Sequence, residues 1–258
     1  MAPSSSNPPA QKPSRRRLAD IKRLADVSSE AQFLAGRFSP LSEFLRVVRI
    51  AIEFIRGFRA LRRIGPAITL FGSSRIPESS PYYALSREIG RLLTTEGYTL
   101  ITGGGPGIME AANRGARDVG GRSMGINIVL PHEQGANRFC DDVVTFRYFF
   151  ARKVILIKYS YAFVILPGGF GTLDELMEAV TLIQTGKLYD FPVILVGIDY
   201  WKGMLDWLRD TVVANGAVTE DELSVLRLTD DPNEVLRVVR EVAQGIGLKL
   251  HPIAKMTD

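Results

Sequence analysis

The sequence predicts an α/β fold, a doubly wound parallel sheet with helices on both faces, preceded by an N-terminal helical extension. Three observations carry that expectation. From Ala67 onward, short apolar runs of strand length alternate with segments of helical periodicity, which is the pattern of βα units in a parallel sheet. Three of those runs end directly in glycine-rich turns, and sheets of this kind bind ligands beyond the carboxyl ends of their strands. Residues 1–65 stand apart in charge, with 13 Lys and Arg against 5 Asp and Glu, whereas the remainder carries 19 against 23.

Taken in order, residues 1–14 are rich in Pro, Ser and Asn, have few large apolar side chains to bury, and are expected to form a disordered tail. Residues 15–64 read as a basic helical extension. Arg15-Arg16-Arg17 leads into a weakly periodic helix over Leu18–Leu34, and a stronger helix follows Ser39-Pro40. In the latter, Leu41, Phe44, Leu45, Val48, Ile52 and Ile55 fall at helical spacing, with Arg46, Arg49, Glu53 and Arg56 on much of the other side. Its apolar face is expected to pack on the body or on a second subunit, with a membrane surface as the competing reading. Strands are expected at Ala67–Phe71, Tyr98–Thr102, Arg122–Ile128, Val143–Phe146, Ala162–Leu166, Val193–Val196 and Val225–Leu228. Helices are expected at Tyr82–Glu96, Ile108–Val119, Phe149–Tyr159, Leu173–Gln184, Trp201–Ala214 and Glu234–Ala243. Residues 65–248 form this unit, which is Rossmann-like, and 249–258 a polar tail.

Composition excludes several classes. The longest apolar stretch, Val154 to Leu166, is interrupted by Lys158, so no membrane span is expected. A single cysteine, Cys140, rules out an intramolecular disulfide and, with no secretory segment in view, points to the cytoplasm. Cys140 reads as a semi-buried residue whose ionisation is discouraged by Asp141 and Asp142. The basic excess lies in the extension, so nucleic acid is not an expected partner of the body. With only His132 and His251 and no His/Cys/Asp cluster, no metal and no other cofactor is expected.

The chemistry-bearing segments are the three strand-end turns. They are Gly72-Ser73-Ser74-Arg75, Gly103-Gly104-Gly105-Pro106-Gly107, and Pro167-Gly168-Gly169-Phe170-Gly171-Thr172-Leu173-Asp174-Glu175. The third feeds a helix N-terminus, whose unpaired N–H groups and positive dipole end suit a phosphate. Thr172 adds a hydroxyl. Glu175 would repel a phosphate lying against it and is better placed for a neighbouring part of the ligand. Gly72, Ser73, Gly104, Gly105 and Asp174 are expected beside it in the substrate site. The second turn lacks the last glycine of G-x-G-x-x-G, and Gly186-Lys187 is followed by Leu188, so neither a dinucleotide fingerprint nor a P-loop is present. Arg152-Lys153 is a cationic pair at the start of a largely apolar helix.

These motifs resemble the LONELY GUY (LOG) family, long labelled possible lysine decarboxylases, over about Ile64 to Ala214. Its paired signatures P-G-G-x-G-T-x-x-E and R-K match Pro167–Glu175 and Arg152-Lys153, and its G-G-G-x-x-G-x-M block is close to Gly103–Glu110, departing in the adjacent Pro106-Gly107. An Arg-rich extension is similar to that of the longer bacterial members. The resemblance implies a phosphoribohydrolase that cleaves the N-glycosidic bond of nucleoside 5′-monophosphates, cytokinin riboside monophosphate or AMP, to free base and ribose 5-phosphate. It implies Arg152 and Glu175 as the catalytic pair, Gly168, Gly169, Gly171 and Thr172 as phosphate holders, and Glu110, Lys153 and Thr181 completing the nucleotide site in a homo-oligomer. Glycosidic cleavage needs a carboxylate near an oxocarbenium-like centre, and Glu175 and Glu110 both stand as candidates to activate water. A non-catalytic nucleotide-binding or carrier protein would keep the glycine turns without needing Arg152 or Glu175. A decarboxylase would need a pyridoxal phosphate site around Lys153 that nothing else suggests.

Overall fold

The computed structural model describes residues 40–129, 135–248 and 250–253. The expected tail, the Leu18–Leu34 helix and His132 lie outside the described residues. An N-terminal helix α1 (Pro40–Leu61) precedes β1 (Ala67–Phe71), α2 (Pro81–Thr95), β2 (Thr99–Thr102), α3 (Ile108–Asp118), β3 (Ser123–Ile128) and β4 (Asp142–Phe146). There follow α4 (Phe149–Tyr159), β5 (Phe163–Ile165), α5 (Phe170–Gln184), β6 (Val193–Val196), α6 (Ile198–Trp207), α7 (Glu220–Leu223), β7 (Leu226–Thr229) and α8 (Pro232–Gly245). A π-helical turn, Leu208–Val213, continues α6.

Among the described residues, seven strands run in the order β4-β3-β2-β1-β5-β6-β7, every pairing parallel. The chain therefore moves outward from β1 in one direction, then returns to β1's other side with β5. That reversal opens a crevice beyond the carboxyl ends of β1 and β5. The strands are near-continuous apolar runs because both faces are covered. One face packs Phe71, Ile101, Phe146, Phe163 and Leu195 under α4, α5 and Trp201. The other packs Leu70, Leu100, Val164 and Val196 under α2, α3 and α8.

Three local differences from the sequence reading have physical reasons. Helix α5 begins at Phe170, three residues before the expected Leu173, because Gly169 is its N-cap; the glycine turn is thus the first turn of the helix. The short helix α7 was not anticipated, although Thr219-x-x-Glu222 forms a capping box there. Helix α1 lies on the body with Glu53, Gly57 and Leu61 inward, while Leu41, Phe44, Leu45, Val48, Ile52 and Ile55 face outward. Packing of that apolar face on the body is thereby corrected: the helix docks through its other side, where Leu61 enters the core with Ile50 and Phe54 against it, Gly57 admits Ile155 and Glu53 accepts the Arg147 N–H at 3.1 Å.

Residues 251–253 lie back on the body, the Ile253 N–H donating to the Thr95 carbonyl at 3.0 Å. Cys140 is partly buried and its thiol is pushed up to about 11 by desolvation, so burial and not the neighbouring acids suppresses its ionisation. Among the described residues, no helix is long and apolar enough to cross a membrane, and no cluster of three His, Cys, Asp or Glu could hold a metal.

Gly107, the N-cap of α3, has φ 69° and ψ −127°, a region that side chains do not enter, and a Cβ there would stand 2.6 Å from the Ser73 carbonyl oxygen. Replacing it with Ala is expected to destabilise the fold by about 1–3 kcal/mol. A urea midpoint equal to that of the unaltered protein would contradict this account of the turn.

Candidate active site

The three glycine turns are tied into one crest at the reversal of the sheet. The Ser73 N–H donates to the Pro167 carbonyl at 2.9 Å, joining the turns after β1 and β5. The Ser73 carbonyl accepts from the Ile108 N–H at 3.1 Å, joining the turn after β1 to the start of α3. The Ser73 hydroxyl caps its own turn by accepting from Arg75 N–H at 3.1 Å. Gly72 permits this closeness, since a Cβ would run into Ile108.

The third turn presents donors. The N–H groups of Thr172 and Leu173 turn back to the Gly169 carbonyl, both at 3.0 Å. Among the described residues no acceptor meets the N–H groups of Gly169, Phe170 and Gly171, and the space a side chain would take at Gly169 and Gly171 is open. These amides sit at the positive end of α5. Gly168 is held differently: Thr172 packs where its Cβ would be, and its carbonyl accepts from the Tyr200 hydroxyl at 2.7 Å. Phe170 projects between two glycines, 92% exposed.

One turn further along α5 lies Glu175, only 2% exposed. Arg152, in the first turn of α4, reaches it through Nη2–H to Oε1 at 3.3 Å. Among the described residues no hydrogen-bond partner meets the second carboxylate oxygen, Glu175 Oε2, which is buried, nor the buried Arg152 Nε, Tyr148 hydroxyl and Glu178 Oε2. Desolvation pushes the Glu175 carboxyl above its usual range, with Arg152 and Lys153 pulling the other way. Lys153 makes ion pairs with Asp174 Oδ1 at 2.8 Å and Glu178 Oε2 at 3.1 Å. Burial lowers the Lys153 ammonium, but its pairing with Asp174 and Glu178 outweighs that and holds it above its usual range. Lys153 therefore clamps α4 to α5 and aligns the neighbouring Arg152 with Glu175.

The structure gathers Gly72, Ser73, Gly168, Gly169, Gly171 and Thr172 at the crest, with Arg152, Lys153, Asp174 and Glu175 behind the third turn. Gly104 and Gly105 are buried in the second turn. Glu110 is half-buried on α3 and accepts from the Tyr83 hydroxyl at 3.4 Å. Thr181 is set apart: it is exposed near the far end of α5 and its hydroxyl donates to its own helix, at Met177 O, 2.7 Å away.

Two residues escaped sequence reasoning. Tyr148 stands four positions before Arg152, a spacing that brings the two to one side of a helix start. Asn137 is the second. Its Nδ2 lies 3.1, 3.0 and 3.0 Å from Gly104 O, Gly105 O and Asn113 Oδ1, and its N–H donates to Gly104 O at 2.8 Å. Asn113 in turn accepts from the Thr102 hydroxyl at 2.7 Å and donates to the Ser123 hydroxyl at 2.8 Å. This buried network fixes the path of the second turn. Asn137→Ala is expected to cost about 1–3 kcal/mol by stranding those acceptors, readable as a lowered denaturation midpoint; an unchanged midpoint would show that the network does not hold the turn.

A family model described as possible lysine decarboxylase matches residues 109–239. Among curated proteins, the cytokinin riboside 5′-monophosphate phosphoribohydrolase of Mycobacterium tuberculosis is 32% identical over 166 residues, covering 62% of this chain and 87% of that protein. The cytokinin riboside 5′-monophosphate phosphoribohydrolase LOG3 of Arabidopsis thaliana is 29% identical over 180 residues, covering 68% of this chain and 82% of that one. Among solved structures, the molybdenum cofactor binding protein of Rippkaea orientalis matches with TM-score 0.51 at 22% identity, over 69% of this chain and 97% of that one, a likeness of fold alone.

Proposed function

The chain belongs to the possible lysine decarboxylase family, the LONELY GUY family of the sequence motifs, and we propose that it hydrolyses the N-glycosidic bond of nucleoside 5′-monophosphates. The products are the free base and ribose 5-phosphate, and the substrate is cytokinin riboside monophosphate or AMP. The observation that carries this reading is Glu175: a buried carboxylate whose second oxygen has no partner among the described residues, on the same helix whose N-terminal amides no acceptor among those residues meets. The curated relatives' names agree with that chemistry.

In this reading the N–H groups of Gly169, Phe170 and Gly171, with the α5 dipole and the Thr172 hydroxyl, hold the 5′-phosphate. From Phe170 to Glu175 the helix climbs about 7.5 Å, a span that ribose 5-phosphate bridges, so the anomeric carbon faces the carboxylate. As the C1′–N bond breaks, its electron pair leaves with the base and positive charge develops on C1′ and the ring oxygen. Glu175 stabilises that charge from a poorly solvated position and takes a proton from the water that adds to C1′. Arg152 orients Glu175 and offers its remaining N–H groups to the substrate. Glu175 is favoured over Glu110 as the base because Glu110 is less buried and already accepts from Tyr83. Residues 65–248 form the catalytic unit, acting in the cytoplasm as a homo-oligomer and without nucleic acid.

Two other readings are less well supported. A carrier on the same fold has no need of the buried Arg152–Glu175 pair. A decarboxylase needs an uncharged lysine to form a Schiff base, whereas Lys153 is kept protonated by two carboxylates.

Incubation with AMP, isopentenyladenosine monophosphate and the matching nucleosides is expected to release base and ribose 5-phosphate from the monophosphates only. Equal turnover of the nucleosides would sink the phosphate-anchoring reading. Glu175→Gln is expected to lower kcat by about 10²–10⁴-fold with the melting temperature maintained, and a variant of near-full activity would remove Glu175 from the mechanism. Glu175 must be ionised to act as base, and burial holds its carboxyl above its usual range. The rate should therefore fall on acidification through a limb above the range of an exposed glutamate, and a limb within or below that range in the kcat/KM profile would contradict the assignment.

A further inference from the structure

The turn after β6 is a fourth strand end that meets the crest. Gly197, the N-cap of α6, has φ 110°, and a Cβ there would stand 3.1 Å from both the Pro167 and the Tyr82 side chains. The start of α6 therefore lies directly against the third turn. In that first turn of α6, Trp201 is buried and its indole N–H donates to the Val196 carbonyl at 3.1 Å. Tyr200 meets the indole edge-on, with ring centroids 4.8 Å apart and planes at 84°, and its hydroxyl donates to the Gly168 carbonyl at 2.7 Å. Among the described residues no second donor reaches that carbonyl.

In a trans peptide the C=O of one residue and the N–H of the next lie in one plane and point opposite ways. A Gly168 carbonyl fixed towards α6 thus fixes the Gly169 N–H away from α6, at the open end of α5. We infer that Tyr200 is a positioning residue for anion binding: its hydroxyl holds the Gly168–Gly169 peptide so that an N–H, and not a carbonyl, faces the substrate's phosphate. This role rests on the phosphate placement of the proposed function and deepens it by naming what keeps the donor aimed. The sequence makes such a hold necessary. A peptide between two glycines turns over easily, since neither side has a Cβ to oppose it. Turning over carries Gly169 from φ −89° to about +90° while its ψ stays at −155°, a region that essentially only glycine enters. The carbonyl would then face the phosphate, an acceptor against an acceptor. The preceding peptide is secured in the same way, the Pro167 carbonyl accepting from the Ser73 N–H at 2.9 Å.

The test is ribose 5-phosphate binding by calorimetry, together with AMP hydrolysis, for the full chain unaltered and as Tyr200→Phe, Gly169→Ala and the double variant. Tyr200→Phe is expected to raise the ribose 5-phosphate dissociation constant and the KM for AMP about three- to tenfold, the effect of one neutral hydrogen bond, with kcat held within about twofold. Gly169→Ala opposes the flip, because the present backbone is extended, the space for a Cβ is open and the flipped region is closed to alanine. In that background, Tyr200→Phe is expected to change ribose 5-phosphate binding by less than about twofold, whatever the alanine itself does to binding. Equal dissociation constants for the unaltered protein and Tyr200→Phe overturn this role. So does an equal loss in the two backgrounds, or a Tyr200→Phe protein that fails to fold, either of which would make the hydroxyl a structural support only. A protein that shows the predicted binding pattern yet leaves AMP intact overturns the proposed hydrolysis and sustains the role of Tyr200. An unaltered protein that does not bind ribose 5-phosphate overturns both.

Discussion

Burial of the Glu175 carboxylate is the constraint on which the rest of this site depends. Removing a carboxylate from water costs several kcal/mol unless its oxygens are satisfied, and here Arg152 satisfies only one of them, through a single contact of 3.3 Å. Three neighbouring polar atoms, Arg152 Nε, the Tyr148 hydroxyl and Glu178 Oε2, share that condition among the described residues. Native interiors leave few such groups unpaired, and a catalytic role is one of the reasons for which they do so. The same desolvation that makes the site costly raises the affinity of Glu175 for a proton, a property a general base requires near neutral pH.

What keeps this arrangement in place is the sheet beneath it. The order β4-β3-β2-β1-β5-β6-β7 puts the turns after β1 and β5 side by side, and Ser73 bonds both Pro167 and Ile108 across the gap. Around that crest stand supports that touch no reacting group in the proposed mechanism. Tyr200 pins the Gly168 carbonyl, Asn137 pins the second turn, and Lys153 bolts α4 to α5 through Asp174 and Glu178. Amides in the third turn remain open because glycine flanks them, and Glu175 remains dry because the helix that carries it is packed against α4. In the proposed mechanism, anion binding and acid–base chemistry thus come from one helix, five residues apart.

Much of this was legible in the sequence because it is local. A strand, a glycine turn and a helix start are read from neighbouring residues, and Gly168 to Glu175 carry their geometry in one short run. Arg152 and Lys153 were legible by resemblance to a family motif, since their partners Glu175, Asp174 and Glu178 lie more than twenty residues away. Asn137 was not legible: its partners Gly104 and Gly105 precede it by 33 and 32 residues, and an asparagine in a polar loop gives no sign of being clamped. Periodicity identified the apolar side of α1 correctly but says nothing about which way a helix turns, and Gly57 with Glu53 decided that. Thr181 fell in the motif-bearing helix, yet its place on the far turns of α5 turns its hydroxyl to the helix backbone.

The central claim is that the first-turn amides of α5 hold the substrate's phosphate and so deliver its anomeric carbon to Glu175. A crystal structure of the Glu175→Gln variant with AMP tests it most directly. The account predicts phosphoryl oxygens within about 3.2 Å of the amide nitrogens at Gly169, Phe170 and Gly171, with C1′ facing residue 175. Phosphate bound instead at the start of α3, or anywhere away from the third turn, would contradict it.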